Sequence, residues 1–125
     1  MGCDITLFVE YAKRNPQGEL EWDCFGEVQV WPHYDFFTAL AGVRDMGRGV
    51  KPVSHARGLP ADASIDSVTM LADGHTQSWL TFREFMVACK RAKCAAGLTF
   101  KAMFAAMRTL ARAGNHVRVV FCFDS

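Results

Sequence analysis

The segment Val117-Arg118-Val119-Val120-Phe121-Cys122-Phe123 carries almost nothing polar on either parity. A strand with one wet face alternates polar and apolar residues, whereas a strand covered on both faces reads as a continuous apolar run. The segment therefore belongs in the interior of a sheet. Val117, Val119, Phe121 and Phe123 point one way, and Arg118, Val120, Cys122 and Asp124 the other. Its natural neighbour is the opening strand, residues 3–11. There Cys3, Ile5, Leu7 and Val9 share one face and Asp4, Thr6, Phe8 and Glu10 the other.

Asn15-Pro16-Gln17-Gly18 is a turn with Pro and Gly in favourable places. A second strand follows, with Leu20, Trp22, Cys24, Gly26, Val28 and Val30 on one face, and Gly26 predicts a bulge or bend. Asp35 is expected to cap a short helix that turns Phe36, Phe37, Leu40 and Val43 inward. From Met46 to Ser78 no apolar periodicity persists, which predicts one long polar loop. Thr81-x-x-Glu84 is a capping box, opening a helix with Phe82, Phe85, Met86 and Cys89 on one face. Thr99 is expected to cap the next helix, whose stripe is Phe100, Met103, Phe104, Met107, Leu110 and Ala111. Gly114-Asn115 stops it.

The expected fold is α+β, a two-layer α/β sandwich formed by residues 1–125 as a single domain. Its sheet is three-stranded and mainly antiparallel in order 2-1-3, with the helices on one face and a long polar loop at 46–78. The right-handed crossover rule sets the last strand antiparallel to the first. Asp4 and Asp124 then become neighbours at one sheet corner.

At 125 residues the chain can bury a core without disulfide or metal support. Its five cysteines are odd in number and irregular in spacing, which argues for reduced thiols and a cytoplasmic setting. MGCDIT matches an N-myristoylation pattern, but Gly2 runs directly into a strand, so no lipid is expected. No apolar run reaches the length of a membrane span. The net charge of +1 is unevenly spread. Residues 1–31 hold six acids against Lys13 and Arg14, and residues 82–113 hold seven bases against Glu84. Solvated helix faces are the simpler reading of that asymmetry, with attraction of an anionic partner or a second copy as the alternative. Duplex nucleic acid is not expected at so small a basic excess.

The histidines His33, His55, His75 and His116 show no metal-ligand spacing, and Cys89 and Cys94 suit neither a zinc knuckle nor a redox pair. No metal or cofactor is implied, although His55 and His75 with one acid remain an alternative. Asp4, His75 and Asp124 are the candidates for metal binding or acid–base catalysis. The stronger signal is anion binding. Arg44, Arg48, Lys51, His55 and Arg57 stand close together among glycines, so guanidinium forks and free amides are available to a phosphate. Tyr34, Trp31 and Trp79 offer stacking surfaces. Against this, such bases often pair with acids of their own chain, here Asp62, Asp66 and Asp73. The outer sheet face is unusually apolar, with Phe8, Phe25, Val120 and Cys122 on it. It predicts either a homo-oligomer or coverage by the 46–78 loop.

The blocks MGCDITLFVEY, YDFFTALAGVRD, RGLPADAS, HTQSWLTFREF and VRVVFCFDS together resemble a family of small hypothetical proteins of tailed phages, prophages and some bacteria. The resemblance implies a context rather than a chemistry. It also implies a departure, since the family's opening usually carries His where this chain has Thr6. Asp4, Tyr34, Asp35, Arg44, Arg57, His75, Ser78, Trp79 and Asp124 fall in the resembling blocks. The expected function is that of a phage or prophage accessory protein in the host-cell cytoplasm. It would bind a host protein or an anionic, phosphorylated small molecule without catalysis, with action against host defence as one such role. The alternatives are a small hydrolase or transferase acting on a nucleotide and a structural protein that assembles through its outer sheet face.

Overall fold

The apolar C-terminal run is paired along both edges. The computed structural model describes residues 2–125 and gives the order β1 (Asp4–Arg14), β2 (Leu20–Glu27), α1 (Tyr34–Ala41), α2 (Ile65–Leu71), β3 (His75–Thr81), α3 (Phe82–Arg91), α4 (Leu98–Arg112) and β4 (His116–Asp124). The sheet order is β2-β1-β4-β3, antiparallel throughout. β4 lies between β1 and β3, and every residue from Val117 to Phe123 is buried. Asp4 pairs with Asp124 across β1 and β4, as the crossover argument requires. A register shift between Val9 and Glu10 lies opposite Gly26 and Cys24, so Phe25 is the extra residue of a bulge where the glycine predicts one.

Three helices cover one face. Leu7, Val9, Val119, Phe121 and Phe123 of the sheet pack against Phe36, Phe37 and Leu40 of α1, Phe85 of α3, and Phe100, Met103 and Met107 of α4. The rings interlock edge to face, with centroids 5.0 Å apart for Phe36–Phe100 and 5.1 Å for Phe37–Phe123. Thr81 and Glu84 form the predicted capping box at the start of α3. The α1 cap differs from expectation. His33, not Asp35, stands at the N-cap and accepts from the Phe36 amide, while Asp35 sits in the first turn where its charge complements the helix dipole. Likewise Gly97 rather than Thr99 precedes α4.

The structure corrects the expected fold in two respects. The sheet has four strands rather than three, and the helices are not confined to one face. Both corrections lie inside the segment expected to be a loop. β3 escapes detection because it is short, begins with His75, Thr76, Gln77 and Ser78, and slips register between His75 and Ser78. α2 escapes because its pattern is inverted, with Ile65 and Met70 exposed and only Ser67 and Leu71 buried. The segment folds across the outer sheet face. Leu71 joins Phe8, Val120 and Cys122 there, with Cys24, Leu59 and Trp79 packed around them. Phe8 is 5% exposed and Val120 fully buried, so the apolar face that suggested self-association is covered by the chain itself. Phe25, expected on that face, is not part of it: the bulge turns it to the helix side, where it is 54% exposed and lines a groove with Val9, Leu98 and Met103. No helix among the described residues is long and apolar enough to cross a membrane.

Candidate functional site

Two clamps hold segment 46–78 to the scaffold, and both use arginine. Arg57 grips Glu84 through paired hydrogen bonds of 2.8 and 2.6 Å, and its Nη1 also donates to the Trp79 carbonyl. Its guanidinium lies 4.6 Å from the Trp79 ring centroid. The Arg57 contact holds the Glu84 carboxyl at about 2, well below its usual range. The second clamp is buried. Arg118 Nε donates to Glu10 Oε1 at 2.8 Å, and Nη2 lies 2.8 Å from the same oxygen without an aligned hydrogen bond. Nη1 reaches Asp62 at 3.1 Å, and Glu10 Oε2 accepts from the Ser64 amide and the Ser67 hydroxyl. Glu10 and Arg118 are cross-strand partners, so the register of β1 on β4 places them face to face.

With the segment fixed in this way, its first part meets the end of α3. The resulting cleft of about 520 Å³ is lined by Asp35 of α1, by Arg48, Gly49, Val50 and Lys51 of the loop, and by Arg91, Ala92 and Lys93. Arg48 pairs with Asp35 at 3.0 Å from a side chain that is 62% exposed. Arg91 donates to the carbonyls of Lys51 and Pro52, which fixes the loop against the helix. The ammonium groups of Lys51 and Lys93 have no partner among the described residues. Four cations against one carboxylate leave a strong local positive field, which attracts and concentrates anions.

The structure distributes the candidate ligand residues over several places. Arg48 and Lys51 line the cleft. Arg57 instead serves the chain's own Glu84. Arg44 stacks over Tyr34 at 5.5 Å, and the Tyr34 hydroxyl accepts from the Cys3 amide. His55 is exposed and lies outside the cleft lining. Trp79 belongs to a different groove, of about 820 Å³, with Trp22, Pro60, Asp62, Phe82 and Arg118 among its walls. In that groove Arg118 stacks on Trp22 at 3.6 Å and Asp62 accepts from the Trp22 indole, so the polar groups serve one another. Arg91 and Lys93 did not stand out in the sequence as site residues. A basic helix end reads first as a complement to the dipole, and only their meeting with Lys51 gives them a second meaning.

Asp4, His75 and Asp124 do share one sheet corner. Asp4 faces Asp124, and His75 faces Phe123 on the adjacent strand. The His75 ring contacts the hydroxyls of Thr76 and Ser125, each at 2.9 Å. Among the described residues no group of three His, Cys, Asp or Glu side chains is arranged to hold a metal ion. Burial, with Asp124 nearby, pushes the Cys122 thiol near this corner up to about 11, away from the range of an activated nucleophile. Comparison with protein-family models, with curated proteins and with solved structures finds no match to this chain, so the phage-family resemblance rests on its residue blocks alone.

Proposed function

We propose that this protein binds a phosphorylated small molecule, without catalysis, in the cleft between Arg48, Lys51, Arg91 and Lys93. The observation that carries this reading is the convergence of four cations on one concavity, with two ammonium groups unpaired among the described residues. Phosphate oxygens supply the acceptors those groups lack, and charge-assisted hydrogen bonds are the strong ones. The setting of the proposal, an accessory protein in the cytoplasm of a phage-infected or lysogenic host, follows from the resemblance alone. A host protein presenting a phosphorylated or acidic segment is the macromolecular form of the same partner.

Calorimetric titration with inorganic pyrophosphate tests the reading. Binding should weaken as salt is raised, because the cleft is open and screened. Lys51→Ala should lose about tenfold in affinity, the equivalent of one charge-assisted bond of about 1.5 kcal/mol, with its melting temperature unchanged. A wild-type protein that takes up no pyrophosphate at low salt would overturn the proposal. A second reading, acid–base hydrolysis at Asp4, His75 and Asp124, is favoured by their shared corner. It predicts phosphoester turnover that disappears in Asp124→Asn.

A further inference from the structure

Helices α3 and α4 end in the same hydrogen-bond pattern with different residues at the decisive position. At the end of α4 the Asn115 amide donates to Leu110 and the Gly114 amide to Ala111. At the end of α3 the Cys94 amide donates to Cys89 and the Lys93 amide to Lys90, both at 3.0 Å. Each is a paired six-to-one and five-to-two closure, which puts the residue after the cap in the left-handed region. In α4 that residue is Gly114 at φ 93°, the type that adopts the conformation without a steric penalty. In α3 it is Lys93 at φ 58°. A lysine there is strained, since its Cβ approaches the following carbonyl.

Among the described residues no contact of the Lys93 side chain offsets the strain. The other non-glycine residues at positive φ are Arg44 and Thr76. The Arg44 carbonyl accepts from Thr38 and its guanidinium stacks on Tyr34, while the Thr76 hydroxyl meets His75. The Lys93 ammonium is exposed and has no partner among the described residues. The turn is anchored beneath by Cys89 and Cys94, both buried, with the Cys94 thiol donating to the Cys89 carbonyl at 3.5 Å. Those two cysteines are thus the apolar contact that accompanies this kind of helix end, which accounts for their five-residue spacing. Strain held in place by a rigid surround is a mark of a functional position.

We infer that Lys93 is a ligand-contact residue of the basic cleft, kept at a glycine position at the expense of stability, and that the ligand is an oligophosphate. The inference rests on the anion-binding reading above. The second half follows from charge. Four cations against one carboxylate exceed the charge of about −1.5 to −2 that a single phosphate monoester brings, so two or more linked phosphoryl groups match the cleft better. The plainer role for Lys93 is to complement the α3 dipole, as Lys90 and Arg91 in the last turn do. The two roles separate by affinity, because removing a dipole partner leaves pyrophosphate binding unchanged, whereas removing a ligand contact weakens it.

The test uses the full chain, with calorimetric titration of inorganic phosphate and pyrophosphate and thermal melts of the same samples. Lys93→Gly should melt about 4 °C higher, the shift expected from relieving one left-handed side chain, and should bind pyrophosphate about tenfold more weakly. Lys93→Arg should keep pyrophosphate binding near wild type without the gain in melting temperature. Wild type should prefer pyrophosphate to phosphate. Lys93→Gly with unchanged affinity, or with a lower melting temperature, would overturn the inference. Equal affinity for phosphate and pyrophosphate would overturn its oligophosphate part. If Lys51→Ala weakens pyrophosphate while Lys93→Gly does not, the cleft stands and the role of Lys93 falls. If wild type binds neither anion, the anion-binding reading itself falls and this inference with it.

Discussion

Glu10→Ala should be the most damaging single polar substitution in this protein. Glu10 is fully buried and accepts from three donors, Arg118 Nε, the Ser64 amide and the Ser67 hydroxyl, at 2.7–2.8 Å, with Arg118 Nη2 in ion-pair contact. Truncation leaves the Arg118 guanidinium, itself only 6% exposed, with Asp62 as its remaining carboxylate. Breaking a buried ion pair from one side costs about 3–5 kcal/mol, a large part of the roughly 5–15 kcal/mol that holds a domain together. In urea the midpoint should fall by about 2 M for an m-value near 2 kcal/mol/M. The same change frees Ser64 and the start of α2, so the Cys122 thiol beneath should react faster with an alkylating reagent under native conditions. The double variant Glu10→Leu with Arg118→Met removes both charges and should recover much of the loss, because an apolar pair needs no desolvation. A loss below about 1 kcal/mol in Glu10→Ala, or a double variant no better than the single, would refute this account of how the segment is held.

The outer clamp should be weaker and pH-dependent. Arg57→Ala should cost about 1 kcal/mol for a pair that is 27–30% exposed, read as a small fall in the urea midpoint. The Glu84 carboxyl is depressed from 4.5 to about 2, so its contribution is complete above pH 4.5 and is lost as pH falls towards 2. Acid titration of Glu84→Gln should therefore show a shallower loss of stability in that window than wild type. Gly74→Ala should destabilise by about 1–3 kcal/mol in chemical denaturation, because a Cβ there would overlap Cys122 Sγ and stand 2.9 Å from its Cβ. Wild-type stability in that variant would show that the α2–β3 turn does not approach β4 as closely as described.

What local pattern could reveal was largely legible. The β1 and β4 alternations, their antiparallel pairing, the capping box at Thr81 and the α4 stripe are short-range signals, each reinforced over several residues. The bulge was legible from one glycine in a strand. Segment 46–78 was not legible, because its order comes from partners remote in sequence. α2 buries only two of its seven residues, and it is placed by Ser64 and Ser67 on Glu10, 54 and 57 positions away. β3 is ordered by pairing with β4 rather than by its own alternation.

The same division runs through the candidate site. Sequence alone concentrated basic residues in the segment beginning at Arg44, and Arg48 and Lys51 do face the cleft. It could not tell which arginines were already engaged, because charge pairing depends on position in space. Arg57 meets Glu84 from 27 residues away, and Arg118 meets Glu10 across 108. Nor could it place Arg91 and Lys93 beside Lys51, a meeting made by the return of the loop to the end of α3. Composition and periodicity determined the elements outside segment 46–78 and the faces of β1, β4 and α4. Tertiary structure alone decided which charges neutralise one another and which remain available, since the strength of a charge pair is set by separation and burial rather than by order along the chain.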